Sequence, residues 1–254
     1  VCRNSVQHIG TDVLFLSQSG LRSFGRTVTQ KSMPINDLSL NIKTEFIQAI
    51  ESRTSPTASV YSPENSFYLI TFPDQVTTYC FDLRGLLDNG AYRVTRWPSN
   101  GYKCFERKTD GTLYIGTADG VGEYKDYSDN GASYRFRYYS PGLTFGDPSK
   151  LKILKKLRPT LVGANSASVV LYWGYDLTTN YSTAEFTVGN QNPAFYGITE
   201  FTVGEFTGGE LTSRRQINTT GDGTVVTIGL ESDINGFPLS LQEINVLALI
   251  GKTL

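Results

Sequence analysis

From V-L-F-L-S at Val13 to I-N-V-L-A-L-I-G at Ile244, the apolar positions of this chain come in short runs or in alternation. Glycine, asparagine, aspartate or proline interrupts them every few residues. That is the pattern of short antiparallel strands joined by tight turns. One stretch departs from it. After Pro34, I-N-D-L-S-L-N-I-K-T-E-F-I-Q-A-I-E places Leu38, Ile42, Phe46, Ala49 and Ile50 on a single helical face. Asn36 or Asp37 can cap such a helix, which is expected over 35–52 and ends before T-S-P.

A weak repeat surrounds the helix. V-L-F-L-S-Q-S-G-L-R-S-F from Val13, F-Y-L-I-T-F-P-D-Q-V-T-T-Y from Phe67 and L-Y-I-G-T-A-D-G-V-G-E-Y from Leu113 share one plan. In each, an apolar strand ends at Ser or Thr, a short turn follows, and a second strand reaches an aromatic residue. The text D-N-G-A-Y-R at Asp88 also returns as D-N-G-A-S-Y-R at Asp129, 41 residues later. Asn-Gly suits a hairpin because both residues tolerate positive φ. Four-stranded units recurring at roughly 40–55 residues predict propeller blades, about three of them within 1–148. A plain meander with accidental similarity is the alternative. Closed propellers have roughly four to eight blades. The rest are therefore expected upstream of Val1, in keeping with a start other than Met.

G-D-P-S-K-L-K-I-L-K-K-L-R-P predicts a boundary, with turn residues opening it and Pro159 closing it, and leaves 149–158 as a basic connecting strand. Beyond it, 159–254 has the spacing of an antiparallel β-sandwich. Its candidate strands are T-L-V-G, S-A-S-V-V-L-Y-W-G, three E-F-T segments, T-V-V-T-I-G-L and I-N-V-L-A-L-I-G. In each E-F-T-V, alternation sends Phe and Val to one face and Glu and Thr to the other. Glu185, Glu200, Glu205 and Glu210 thereby become candidates for an interface or a channel wall. The predicted fold class is all-β: a partial or interrupted β-propeller followed by a platform-like β-sandwich, with one inserted helix.

Charge sharpens the division. The chain carries 23 Lys+Arg against 24 Asp+Glu, but from Pro159 onward there are 3 basic and 9 acidic residues, a net of −6. The first 158 residues hold the remaining 20 and 15, a net of +5. A charged partner is expected for at least one half. Lys150, Lys152, Lys155, Lys156 and Arg158 fall within nine residues. Such a strand can neutralise phosphates. Alternatively, Leu151, Ile153 and Leu157 point inward and the cations form a solvated face.

Signatures of catalysis are sparse. His8 is the sole histidine and no G-x-S-x-G elbow accompanies it, so a Ser-His-Asp triad is not expected. Cys2, Cys80 and Cys104 are widely spaced and read as reduced, packed thiols. G-D-G-T at Gly221 lacks the G-K-[S/T] of a phosphate loop. Asp74, Asp82, Asp110 and Asp119 lie near turns, where they can serve a hydrolase or simply bind the turn. No apolar run reaches the ~20 residues of a membrane-spanning helix. No residue set calls for a cofactor, a metal or a small-molecule substrate.

The texts T-D-V-L-F-L-S-Q-S-G-L-R-S-F-G-R, M-P-I-N-D-L-S, K-K-L-R-P-T-L-V-G…V-V-L-Y-W-G-Y-D, Y-G-I-T-E-F-T-V-G-E-F-T-G-G-E and I-N-V-L-A-L-I-G-K carry a resemblance. In this order they resemble the tail nozzle, also called tubular-B or packaged-DNA-stabilisation, proteins of short-tailed bacteriophages. The resemblance implies a non-enzymatic virion protein, assembled in the bacterial host cytoplasm as a hexameric ring below the portal and adaptor. It further implies contact with tail fibre or needle proteins, and transient, sequence-independent contact with double-stranded DNA that the ring retains and conducts during ejection. A second reading is a receptor- or carbohydrate-binding module stacking sugars on Trp97, Tyr102, Tyr138 and Tyr139. A third is a polysaccharide hydrolase.

Overall fold

The structure, a computed structural model, describes residues 2–30, 37–97, 102–163, 167–188 and 212–253. The chain divides into two compact units, Val1–Tyr124 and Lys125–Leu254. Both are built mainly from antiparallel strands, and no sheet among the described residues closes into a barrel.

The first unit contains three successive antiparallel meanders. In the first, β1 (Gln7–Ile9), β2 (Asp12–Ser17) and β3 (Gly20–Ser23) pair in chain order. Two helices follow, α1 (Phe24–Gln30) and α2 (Lys43–Ser52). The second meander comprises β4 (Ala58–Ser62), β5 (Phe67–Phe72), β6 (Thr77–Leu86) and β7 (Tyr92–Trp97). The third comprises β8 (Cys104–Arg107), β9 (Leu113–Gly116) and β10 (Val121–Glu123). The three repeated texts therefore occupy equivalent places: the hairpins β2–β3, β5–β6 and β9–β10.

Strand β5 shows why its sequence is apolar without alternation: all six of its residues are buried. Tyr68, Ile70 and Phe72 join Leu14, Leu16 and Leu21 of the first meander in one core, where α2 contributes Phe46, Ala49 and Ile50. Phe67 and Leu69 face the other way, into a second core with Leu113 of β9 and Phe105 of β8. A strand covered on both faces has no reason to alternate.

Helix α2 buries the face expected of it, although regular α-helix begins only at Lys43, after a short 3-10 turn at Leu40–Ile42. Asp37 is spent on that entry, its Oδ1 accepting the amide and hydroxyl of Ser39. Helix α1 is an addition to the expected single helix. Ser23 caps it by accepting the Arg26 amide at 3.1 Å, and Asp12 accepts the Gly25 amide at 2.8 Å. Its glycine and β-branched residues carry little helical signal.

The second unit starts earlier than the expected boundary near 148. Strand β11 (Tyr134–Tyr139) follows the second D-N-G turn, in which Asn130 and Gly131 both have positive φ. The first D-N-G delivers β7 to its own meander. The second delivers β11 to a strand almost a hundred residues away, β18, given below. The same D-N-G text thus forms two different turns, with only Gly90 at positive φ in the first, and serves two different topologies.

Strand β12 (Lys150–Gly163) runs straight through Pro159, so 149–158 is no separate connector. It is followed by β13 (Ala167–Tyr175), β14 (Ser182–Val188), β15 (Thr212–Arg214), β16 (Ile217–Asn218), β17 (Asp222–Gly223), β18 (Val226–Ile234) and β19 (Leu239–Thr253). One sheet has the order β11-β18-β13-β14. In the other, β12 pairs with β19 and with the short strands β15, β16 and β17. Proline is tolerated within β12 because the interruption between β15 and β16, at Arg215 and Gln216, falls opposite it. The buried faces of both sheets supply one core, from Leu154, Leu157 and Leu161 on β12 to Val169, Leu171 and Trp173 on β13 and Ile228 and Leu230 on β18.

Register shifts break the long β12–β19 ladder. Leu154 faces Ala248 while Lys156 faces Leu247, so Lys155 is an extra residue. Before it, Lys152 and Leu154 point inward; after it, Leu157, Pro159 and Leu161 do. The expected inward set of Leu151, Ile153 and Leu157 is correct only beyond this bulge.

Candidate functional site

The five cations of β12 do not form one face. Lys150 pairs with Asp147, Nζ to Oδ2 3.2 Å. Lys152 is 0% exposed, and its ammonium donates to the carbonyls of Asp147 and, at 2.7 Å, Thr224. It is therefore neither a phosphate contact nor part of a solvated face. Lys155 and Arg158 are exposed and Lys156 is half-buried. Arg158 Nε donates to Gln216 Oε1 at 3.0 Å. Four of the five cations therefore keep surface access, Lys150 among them with its ammonium paired, and Lys152 alone is withdrawn.

Of the candidate carboxylates, Glu185 is exposed on β14 and accepts the Ser168 hydroxyl. Phe186 and Val188 turn into the core, as the alternation requires. Glu200, Glu205 and Glu210, with the second and third E-F-T texts, lie outside the described residues.

Three of the four turn aspartates have local partners for their carboxylates, while Asp119 donates its backbone amide to Thr117 Oγ1 at 3.3 Å. Asp74 accepts the amide and hydroxyl of Thr54, Asp82 takes a two-point contact from Arg84, and Asp110 accepts the Thr112 amide at 2.9 Å. Cys80 is buried, which pushes its thiol up to about 12, whereas Cys104 is exposed rather than packed. Trp97 stacks on Tyr124 at 6.0 Å and meets Phe67 edge-on, and Tyr102 meets Phe105 edge-on. These rings fill the second and third meanders.

The geometry that the sequence did not announce is a groove of about 350 Å³ along the first strands of the three meanders. β1 packs beside β4, and β4 beside β8. Gln7, His8, Ser59, Tyr61, Glu106 and Arg107 are among its lining residues. Gln7 Nε2 ties β1 to β4 by donating to the Ser59 carbonyl at 3.0 Å and hydroxyl at 3.1 Å. Arg107 ties β8 to the β4–β5 turn through a two-point contact with Glu64, 2.6 Å at its shorter arm. That guanidinium holds the Glu64 carboxyl down at about 2.

No protein-family model and no curated protein matches this chain.

The groove's own groups define what it can do. It offers neutral hydrogen-bonding side chains, the exposed Glu106 carboxylate, an ion pair already satisfied at Arg107, and an exposed histidine. Among the described residues no hydrogen bond links His8 to a serine or carboxylate, and no three potential metal ligands cluster. Side-by-side placement of Gln7, Ser59 and Glu106 depends on how meanders stack, and no local motif encodes that.

Proposed function

We propose that the chain is a structural component of a bacteriophage tail, a nozzle-type ring protein that retains DNA and conducts it during ejection. The observation that carries this reading is the first-strand-to-first-strand packing of three successive meanders. Blades set around a central channel would pack in this way. On this reading the first unit is an interrupted propeller, its groove is one side of the axial passage, and the two-sheet second unit is a sandwich platform. Lys155, Lys156 and Arg158 give phosphates a weak, salt-dependent contact. Glu185, and Glu200, Glu205 and Glu210 with it, supply repulsion that keeps DNA mobile. The protein resides in the virion tail after assembly in the bacterial cytoplasm, contacting portal-adaptor and fibre or needle proteins. No cofactor or small-molecule substrate belongs to this role.

The test is the mass of the native particle by light scattering, with negative-stain microscopy, alone and with portal-adaptor complexes. Six-fold rings with a hole wide enough for duplex DNA are expected. A monomer or trimer that acquires no partner would sink the reading.

A further inference from the structure

The outward face of the β11-β18-β13-β14 sheet carries a second constellation, independent of the groove. Residues directly opposite one another share a face. The inward set is Ile228 and Leu230 with Val169, Leu171 and Trp173. The pairs Arg135–Asp233, Arg137–Glu231 and Tyr139–Gly229 therefore point outward, with Val170 and Tyr172 beside Glu231 and Gly229 on β13.

Two glycines shape this face. A β-carbon at Gly229 would run into the Tyr139 ring, and one at Gly174 would sit 2.9 Å from the Tyr181 ring. Both rings thus lean over a glycine, occupying the space a side chain would fill, with their planes tilted 55° to each other. Tyr139 and Tyr181 have centroids 5.8 Å apart, and Tyr172 lies 6.0 and 6.3 Å from them. Tyr139 remains 40% exposed.

The polar groups around the rings are fixed. Tyr139 and Tyr172 donate to Glu231 at 2.9 and 3.3 Å. Arg135 bridges Glu231, at 2.6 Å, and Asp233, at 3.0 Å. Arg137 approaches Glu231 at 3.5 Å with most of its side chain in solvent. Burial, reinforced by the Glu231 hydrogen bond, pushes the Tyr139 hydroxyl up to about 12, so it stays a donor at neutral pH.

We propose that this tyrosine face binds an uncharged oligosaccharide, stacked on the rings of Tyr139 and Tyr181 and hydrogen-bonded by Arg137, which Glu231 positions. Rings leaning over glycines offer apolar faces, which suit the C–H face of a sugar, while their edges keep a polar handle. On β11, β18 and β13 the two arginines and two carboxylates cancel, and Glu185 on β14 adds one negative charge further along. A nucleic-acid site needs an excess of cations; this face has none. The open sheet surface admits a chain crossing it rather than a single enclosed unit.

The proposal does not depend on ring assembly, and its test is separate. The whole protein is applied to an array of neutral and uronic-acid-containing oligosaccharides, with random-sequence duplex DNA as a comparison. Binding to neutral oligosaccharides is expected. It should weaken roughly two- to tenfold in each of Tyr181→Ala and Arg137→Ala, as loss of one stacking or polar contact implies. Tyr138→Ala, on the same strand but of opposite alternation, should leave it unchanged. Near-UV circular dichroism establishes that each variant is folded, and Tyr139→Phe, which keeps the ring, should retain most of the binding. Absence of any neutral-glycan signal overturns the proposal. So does glycan binding that survives both Tyr181→Ala and Arg137→Ala in folded protein, or preferential DNA binding lost in Arg137→Ala.

Discussion

Lys152 is the residue whose surroundings depart furthest from its appearance in the sequence. Nothing distinguishes it there from Lys150, Lys155 or Lys156, since only the alternation phase of β12 decides which ammonium goes inward. Its two carbonyl partners make burial tolerable, because a buried charge must be hydrogen-bonded. Lys152→Ala should therefore cost about 1–3 kcal/mol, leaving the Asp147 and Thr224 carbonyls without their donor. Lys155→Ala should stay within about 0.5 kcal/mol. Urea denaturation of the two variants compares them directly. Glu64 makes a different prediction. Its folded pKa is depressed to about 2 from an ordinary value near 4.5, so its pairing with Arg107 stabilises the fold above pH 4.5. That contribution is lost as pH falls from 4.5 toward 2. Glu64→Gln should flatten the acid limb of stability over this window. Raising the salt concentration should shrink the difference, since the pair is exposed to solvent. Urea titrations at several pH values measure both effects.

At the scale of elements, periodicity was informative wherever one face of an element meets one core. Helix α2 shows this: its buried residues are those its spacing picks out, and Phe46 stands at the centre of Phe72, Tyr79 and Phe81 with ring centroids 5.0 to 5.8 Å away. Phe46→Ala should destabilise the first unit by about 3–5 kcal/mol, the range for emptying a large aromatic site in a core. Thermal melts of the variant and parent give the difference. Periodicity was silent about α1, which is held by a serine cap and an aspartate from another strand rather than by an apolar stripe. It also could not say where a strand goes after its turn. The two D-N-G texts are nearly identical, yet β7 and β11 join different sheets, because partner choice is made by distant apolar faces. The tyrosine face was hidden for the same reason. Gly229 and Gly174 read as ordinary strand glycines until Tyr139 and Tyr181 lie over them.

For the whole molecule, the sequence showed an all-β chain with a change of character along it, and the structure has two units with separate cores. Residues 125–254, expressed alone, should accordingly show a cooperative unfolding transition and native-like β circular dichroism. Starting instead at 149 removes β11 from its sheet and should weaken or abolish that transition. The comparison tests the boundary, which charge and proline alone set too late. The extra residue at Lys155 carries a last consequence. Beyond it the inward positions run 157, 159, 161; the same residues in an unbulged strand would continue 156, 158, 160, driving Lys156 and Arg158 into the apolar layer. Deleting Lys155 would act like striking a doubled letter from a word: the strand would alternate evenly again and every later position would keep its sense, whereas straightening it with all its residues retained would reverse them.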